Sequence, residues 1–185
     1  MVDVTEFVLG IIGVFLGAFA AFEFDKFRER QNEKKQSVRV LELLRRELEV
    51  NLQEMIPAIR KNVEESKLEF VPVALDIWEA VSNKIDSIAN DNALEAIASA
   101  YYQLHTLERV LEWYRIYAAI YFSISSNEKL KPNLRKGLQS IAGIILERIR
   151  EPKDEQPKDE QERMVIVEIR EAISEIDKEI QRLEN

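Results

Sequence analysis

The sequence predicts an all-α fold: one N-terminal transmembrane helix continuing into a long helix, then a cytoplasmic helical bundle with a C-terminal coiled-coil-like helix. Three observations carry that expectation. Glycine and proline contribute only five residues each among 185, while Glu, Lys, Arg, Leu, Ile and Ala dominate, a composition that favours long helices over strands and turns. Phe7 to Phe22 is a run of sixteen residues without a charge or a hydrogen-bonding side chain. Apolar residues then recur at three- and four-residue steps through most of the remaining chain.

The apolar run comes first. Val4 to Phe24 as a helix rises about 30 Å, the thickness of a hydrocarbon core, with Glu6 near one boundary and Glu23 and Asp25 at the other. Residues 1 to 25 hold four acids and no base, whereas Lys26 to Arg46 holds eight bases against three acids. By the positive-inside rule, that basic collar places the C-terminal body in the cytoplasm and the short N-terminus outside the cell membrane. A cleaved signal peptide is the competing reading, since Ala18-Phe19-Ala20 has the small-x-small form of a cleavage site. The acidic flank before the run and the basic flank after it are the reverse of a signal peptide's, so an uncleaved anchor is expected.

A seam stepping by four and three links Glu6, Gly10, Gly13, Gly17, Ala20, Phe24 and Phe27, through an interruption at Gln31 and Lys34, to Val38, Leu41, Arg45, Leu48, Leu52 and Met55. It predicts one helix from about Val4 to Ile56, about 80 Å long, ended or kinked at Pro57. Gly13-x-x-x-Gly17, with Ala20 and Ala21 extending the small face, lets membrane helices approach closely, so Glu6, Gly10, Gly13, Gly17, Ala20, Ala21 and Phe24 form the expected association or pore face. Lys26, Arg28, Arg30, Lys34 and Lys35 form a collar that touches anionic headgroups.

Ala58 to Lys67 continues helically, and Glu69 to Val73 reads as an extended connector. Asp76 to Ile88 is a short amphipathic helix with Ile77, Val81, Ile85 and Ile88 on one face, ended by Ala89-Asn90-Asp91-Asn92, which supplies an N-cap. Ala93 to about Ser123 is a core helix with Leu94, Ile97, Tyr101, Leu104, Leu111 and Ala118 inward and an aromatic end of Trp113, Tyr114, Tyr117, Tyr121 and Phe122, expected to pack in the core. After a loop over Ser125 to Pro132, Leu134, Leu138, Ile141, Ile145 and Ile149 mark another amphipathic helix. Pro-Lys-Asp-Glu-Gln occurs twice in succession over residues 152–161, a solvated linker. Ile166, Ile169, Ile173, Ile176, Ile180 and Leu183 then follow at 3-4-3-4-3 spacing, the expected oligomer or bundle seam. The expected organisation is an anchor (1–24), a juxtamembrane helix (25–56), a bundle (57–150), a charged linker (151–161) and a C-terminal amphipathic helix (162–185).

Little in the chain suggests catalysis. The absence of cysteine excludes disulfides, thiolate metal sites and cysteine nucleophiles, and neither a Gly-rich phosphate loop nor a Gly-x-Ser-x-Gly elbow occurs. The sole histidine, His105, shares a helix face with Glu108, but a bundle metal site needs two such motifs plus further carboxylates. Glu175 with Lys178 and Glu179 with Arg182 read as pairs on a solvated face. A net charge of −8, with 27 acids against 18 bases after Arg46, argues against a nucleic-acid surface. The chain is therefore read as a non-enzyme with no cofactor or metal. Its expected partners are the lipid bilayer, further copies of itself and an unidentified protein.

Phe27-Arg28-Glu29-Arg30 onward to Leu43-Leu44-Arg45-Arg46-Glu47-Leu48-Glu49-Val50-Asn51-Leu52, then Trp78-Glu79-Ala80 and Tyr101-Tyr102-Gln103-Leu104, resembles a set of single-pass prokaryotic membrane proteins of unknown function. The resemblance implies one membrane helix and a small cytoplasmic helical domain, and no activity. Two functions fit these readings. One is a membrane-anchored, homo-oligomeric helical scaffold displaying its bundle; the alternative is a homo-oligomeric ion channel or pore lined by the glycine face, with Glu6 ringing its mouth.

Overall fold

The computed structural model describes residues 4–66, 69, 71–85, 88–124, 130–151 and 164–185, with side chains described from residue 19 onward. All regular secondary structure among these residues is helical. Two compact units form, Met1–Arg39 and Val40–Asn185. The helices are α1 (Val4–Val50), a π-helical turn (Asn51–Met55), α2 (Ile56–Glu64), α3 (Asp76–Val81), α4 (Asp91–Ser123), α5 (Lys131–Arg148) and α6 (Val165–Glu184).

In the first unit, Ala20, Ala21 and the rings of Phe19, Phe22, Phe24 and Phe27 are exposed. Lys26 holds its ammonium 5.5 Å from the centre of the Phe22 ring, and Lys26, Arg28, Arg30 and Lys35 are exposed while Lys34 is half-buried. Glu6, Gly10, Gly13 and Gly17 lie outside the residues whose side chains are described. Among the described residues no helix is long and apolar enough to cross a membrane.

The second unit is built on the end of α1. Leu41, Leu44 and Leu48 are fully buried, spaced so that one face of the helix enters the core. Pro57 was expected to end or kink this helix, but the helical path continues through it. A proline lacks its own N–H and its ring crowds the carbonyl four residues earlier. The backbone widens over Asn51–Met55 into i→i+5 bonding, with the Ile56 N–H bound to the Asn51 carbonyl, and Pro57 then occupies the first turn of α2, where no donor is required of it.

Residues 71–75 form neither helix nor strand, and their burial alternates: Val73 and Leu75 are buried and Val71 is partly buried against the core. No strand among the described residues pairs with this segment, so its backbone groups need partners elsewhere. Asn51, itself fully buried in the π-helical turn, supplies them. Its Oδ1 accepts from the Ala74 N–H at 2.9 Å and its Nδ2 donates to the Ala74 carbonyl at 2.7 Å, so one amide takes the place of a neighbouring strand. The same Nδ2 lies 3.2 Å from the Glu47 carbonyl, where the bonding register slips from α to π.

α3 was expected to reach Ile88 and stops at Val81. Ser82 and Asn83 follow, residues whose side chains compete for backbone groups, and the chain turns through bonds from Lys84 N–H to Val81 and from Ile88 N–H to Ile85. Ile85 is still buried, with Ile77, Val81 and Ile88 packed beside it. Asn90 caps α4, its Oδ1 accepting from the Ala93 N–H at 2.9 Å.

Helix α4 is the centre of the bundle, with α5 and α6 both packed along it and α2 resting on α5. A Cβ added at Gly137 of α5 would lie 3.0 Å from the Tyr117 ring of α4, so glycine permits that close approach. Arg60 of α2 reaches the Ile149 carbonyl at the end of α5, and Arg45 of α1 pairs with Asp177 of α6 at 2.7 Å. In α6, Ile166, Ile169 and Ile176 are buried, whereas Ile173, Ile180 and Leu183 are partly buried against the same core. Val165, Ala172 and Glu179 are buried as well, so the inward stripe is broader than the isoleucine row. The repeated Pro-Lys-Asp-Glu-Gln linker and most of the loop before Pro132 lie outside the described residues.

Asn51→Ala strands both the N–H and the carbonyl of Ala74 in a half-buried setting, where each unpaired group costs about 1–2 kcal/mol, the lower part of the range for buried groups. Urea unfolding of the full chain is expected to show a loss of about 2–4 kcal/mol with an unchanged denaturant slope.

Candidate functional site

Glu47 is a buried carboxylate with three hydrogen-bond donors around it. It lies on the same α1 face as Leu44 and Leu48, only 7% exposed. One carboxylate oxygen, Oε1, accepts from the Ile77 N–H at 2.7 Å. The other, Oε2, accepts from the Trp78 N–H at 3.2 Å and the Tyr101 hydroxyl at 2.6 Å. The two amides are orphan donors in the first turn of α3, and the N-cap residue, Leu75, has no side chain able to cap. Glu47 therefore caps α3 from a different helix, and its negative charge sits where amide dipoles converge.

Tyr101 completes the arrangement from α4. Its ring stacks on Trp78 of α3 with centroids 4.6 Å apart and planes 8° from parallel. Burial, and then the hydrogen bond and charge of Glu47, push the Tyr101 phenol far above its ordinary value near 10. The hydroxyl remains a donor across the working pH range. Four side chains, Glu47, Asn51, Trp78 and Tyr101, thus tie α1, the segment before α3, α3 and α4 together.

A second buried carboxylate joins α4 to α6. Glu179, 1% exposed, accepts from Arg182 Nε at 2.7 Å and Nη2 at 2.6 Å, and from Asn90 Nδ2 at 2.6 Å. The Arg182 hydrogen bonds lead the effects that hold its carboxyl below the ordinary carboxylate value near 4.5, against the opposing effect of burial. This corrects the expectation of a solvated Glu179–Arg182 pair. The stripe of α6 facing α4 is wide enough to take position 179 inside, where the Asn90 cap needs an acceptor. Glu175 and Lys178 remain an exposed pair at 2.5 Å.

Elsewhere the chemistry is sparse. His105 Nδ1 lies 3.7 Å from Glu108 on the exposed surface of α4, and among the described residues no three His, Cys, Asp or Glu side chains are placed to hold a metal ion. Glu95 of α4 and Glu168, Glu171 and Glu175 of α6 line an open groove of about 390 Å³.

The aromatic end of α4 departs most from expectation. Tyr114 is buried, but Trp113 is 61% exposed, Phe122 is 55% exposed, and Tyr117 and Tyr121 are half-buried. Residues 113–122 run through about three turns of helix and so cannot all face inward; the buried positions along this part of α4 are Leu107, Leu111, Tyr114 and Ala118. Tyr102, Ile116 and Ile120 are exposed with Trp113.

Comparison with protein-family models, with curated proteins and with solved structures returns no match. Sequence reading placed Tyr101 in the core but missed Glu47, Asn51 and Trp78 as partners. A carboxylate and an amide four residues apart on an otherwise apolar helix face were the available signal.

Tyr101→Phe removes one donor from Glu47 and is expected to cost about 1–2 kcal/mol, while Glu47→Ala, which orphans three donors, costs about 3–5 kcal/mol in chemical denaturation. Because the folded-state phenol pKa is raised, stability is full below pH 10 and falls as pH rises above it; Tyr101→Phe flattens that alkaline limb. For Glu179 the folded pKa is lowered, so its contribution is full above pH 4.5 and is lost as pH falls below that value. Melting temperatures from pH 7 to 3 are therefore expected to fall less steeply in Glu179→Gln than in the parent.

Proposed function

We propose that this protein is a membrane-anchored, homo-oligomeric helical scaffold that displays its bundle on the cytoplasmic side. The observation that carries the reading is the row of large apolar side chains left exposed on α4, with Tyr102 69%, Trp113 61%, Ile116 44% and Ile120 39% exposed. Trp113, Ile116 and Ile120 follow at three- and four-residue steps on one face, with Tyr102 about three turns earlier beyond Thr106 and Arg109, and large apolar groups left in solvent on one helix face mark a contact surface. Anchorage is supported by the sixteen-residue apolar run and by the basic collar that follows it.

The two buried carboxylates fit this role by holding shape. Glu47 is engaged by α3 and Tyr101, and Glu179 by Arg182 and Asn90, so both serve helix packing. The glycine-faced segment at Gly10, Gly13 and Gly17 would bring copies together in lipid. The exposed α4 face would then meet a second copy or an unidentified protein partner.

Alkaline carbonate extraction of membranes from expressing cells tests the anchor. The full chain is expected in the pellet, and a chain lacking residues 1–24 in the supernatant. Release of the full chain by carbonate would overturn the membrane assignment.

A further inference from the structure

We propose that α4 pairs antiparallel with α4 of a second copy of this chain, through the row Tyr102, Thr106, Arg109, Trp113, Ile116 and Ile120. This deepens the scaffold reading by naming the partner of its exposed face. Tyr102, Arg109, Trp113, Ile116 and Ile120 are exposed, and Thr106 between them is half-buried with its hydroxyl turned to the Tyr102 carbonyl at 2.8 Å.

The row advances in steps of 4, 3, 4, 3 and 4, which read the same in both directions. Two such helices laid antiparallel therefore match position for position: Tyr102 meets Ile120 of the second copy, Thr106 meets Ile116, and Arg109 meets Trp113. Every contact occurs twice about a two-fold axis, which closes the assembly at two copies. Steps of three and four are also the spacing at which side chains of paired helices interdigitate.

Charge selects the direction. A parallel pairing sets Arg109 against Arg109 and leaves two like charges at the centre of an apolar seam. The antiparallel pairing lays each guanidinium on the indole face of Trp113, a contact favoured by the negative face of the ring. Glu108 and Glu112 flank Arg109 and come beside the arginine of the other copy. The same two carboxylates disfavour an anionic bilayer as the occupant of this face, since they repel lipid headgroups. Elsewhere α4 packs against α5 and α6, and at Tyr101 against Glu47 and Trp78.

The chain has no cysteine, so engineered thiols report without background. Full-length Tyr102→Cys and Ile120→Cys variants, expressed singly and together in membranes and oxidised in place, test the pairing. Both sites are exposed, so folding is retained, and circular dichroism of each variant checks this. Antiparallel pairing puts the thiol introduced by Tyr102→Cys in one copy opposite the thiol introduced by Ile120→Cys in the other. It also separates identical positions by about 27 Å along the axis, far beyond disulfide reach. Co-expression is expected to give at least tenfold more disulfide-linked dimer than either variant alone, and Arg109→Glu added to both chains is expected to abolish that excess. Equal cross-linking of the single variants, or no cross-linking of folded co-expressed chains, overturns the pairing. A chain that is carbonate-extractable yet still cross-links 102 to 120 overturns only the anchor, so the two failures are told apart.

Discussion

The Glu47 carboxylate is the interaction on which the arrangement of this bundle depends. A charged group taken out of water is costly unless its lone pairs are occupied, and here they are occupied by two backbone amides and a phenol drawn from two other helices. Those amides begin a short helix that has no cap of its own. One side chain thus meets its own need for donors and the need of α3 for an acceptor. Asn51, one turn later, does the same for Ala74. Together they hold the segment before α3 and the first turn of that six-residue helix, alongside the burial of Val73 and Leu75 and the stacking of Trp78 on Tyr101.

Apolar stripes alone specify a helical bundle loosely. Leu, Ile and Ala at three- and four-residue spacing pack acceptably in several registers, and a helix can slide by a turn with little loss of buried area. Polar contacts do not slide. Glu47 with Tyr101 sets α1 against α4, while Glu179 with Asn90 and Arg182 sets α6 against the first turn of α4. The N-cap of the central helix is thereby tied to the last helix of the chain. Both carboxylates trade some stability, relative to a fully apolar core, for a single packing arrangement.

The π-helical turn belongs to the same scheme. Widening over Asn51–Met55 lets the helical path continue past Pro57 and brings Asn51 to the height of Ala74. Interior order contrasts with the outer face of α4, where tryptophan, tyrosine and isoleucine remain in solvent. A bundle that uses polar groups to fix its interior and leaves large apolar groups outside has the form expected of the proposed scaffold.

Much of the architecture was legible in the sequence because helical periodicity is local. The all-α class, an N-cap within Ala89 to Asn92, and the inward positions Ile97, Tyr101, Leu104 and Leu111 all follow from spacing and residue type within a few turns. The contents of the polar network were not legible, since Glu47 and Tyr101 are 54 positions apart and Asn90 and Glu179 are 89 apart. An acidic residue on a helix reads as solvated until a neighbouring helix is known to offer donors. The same ignorance of neighbours put Trp113 and Phe122 in the core, although a helix can bury only the faces that others cover. Residue pattern by itself determined which segments are helices and that the first carries an apolar run with a basic collar. Tertiary structure alone decided which charges are buried and which aromatics are left out, because burial belongs to pairs of surfaces and a sequence shows only one of each pair.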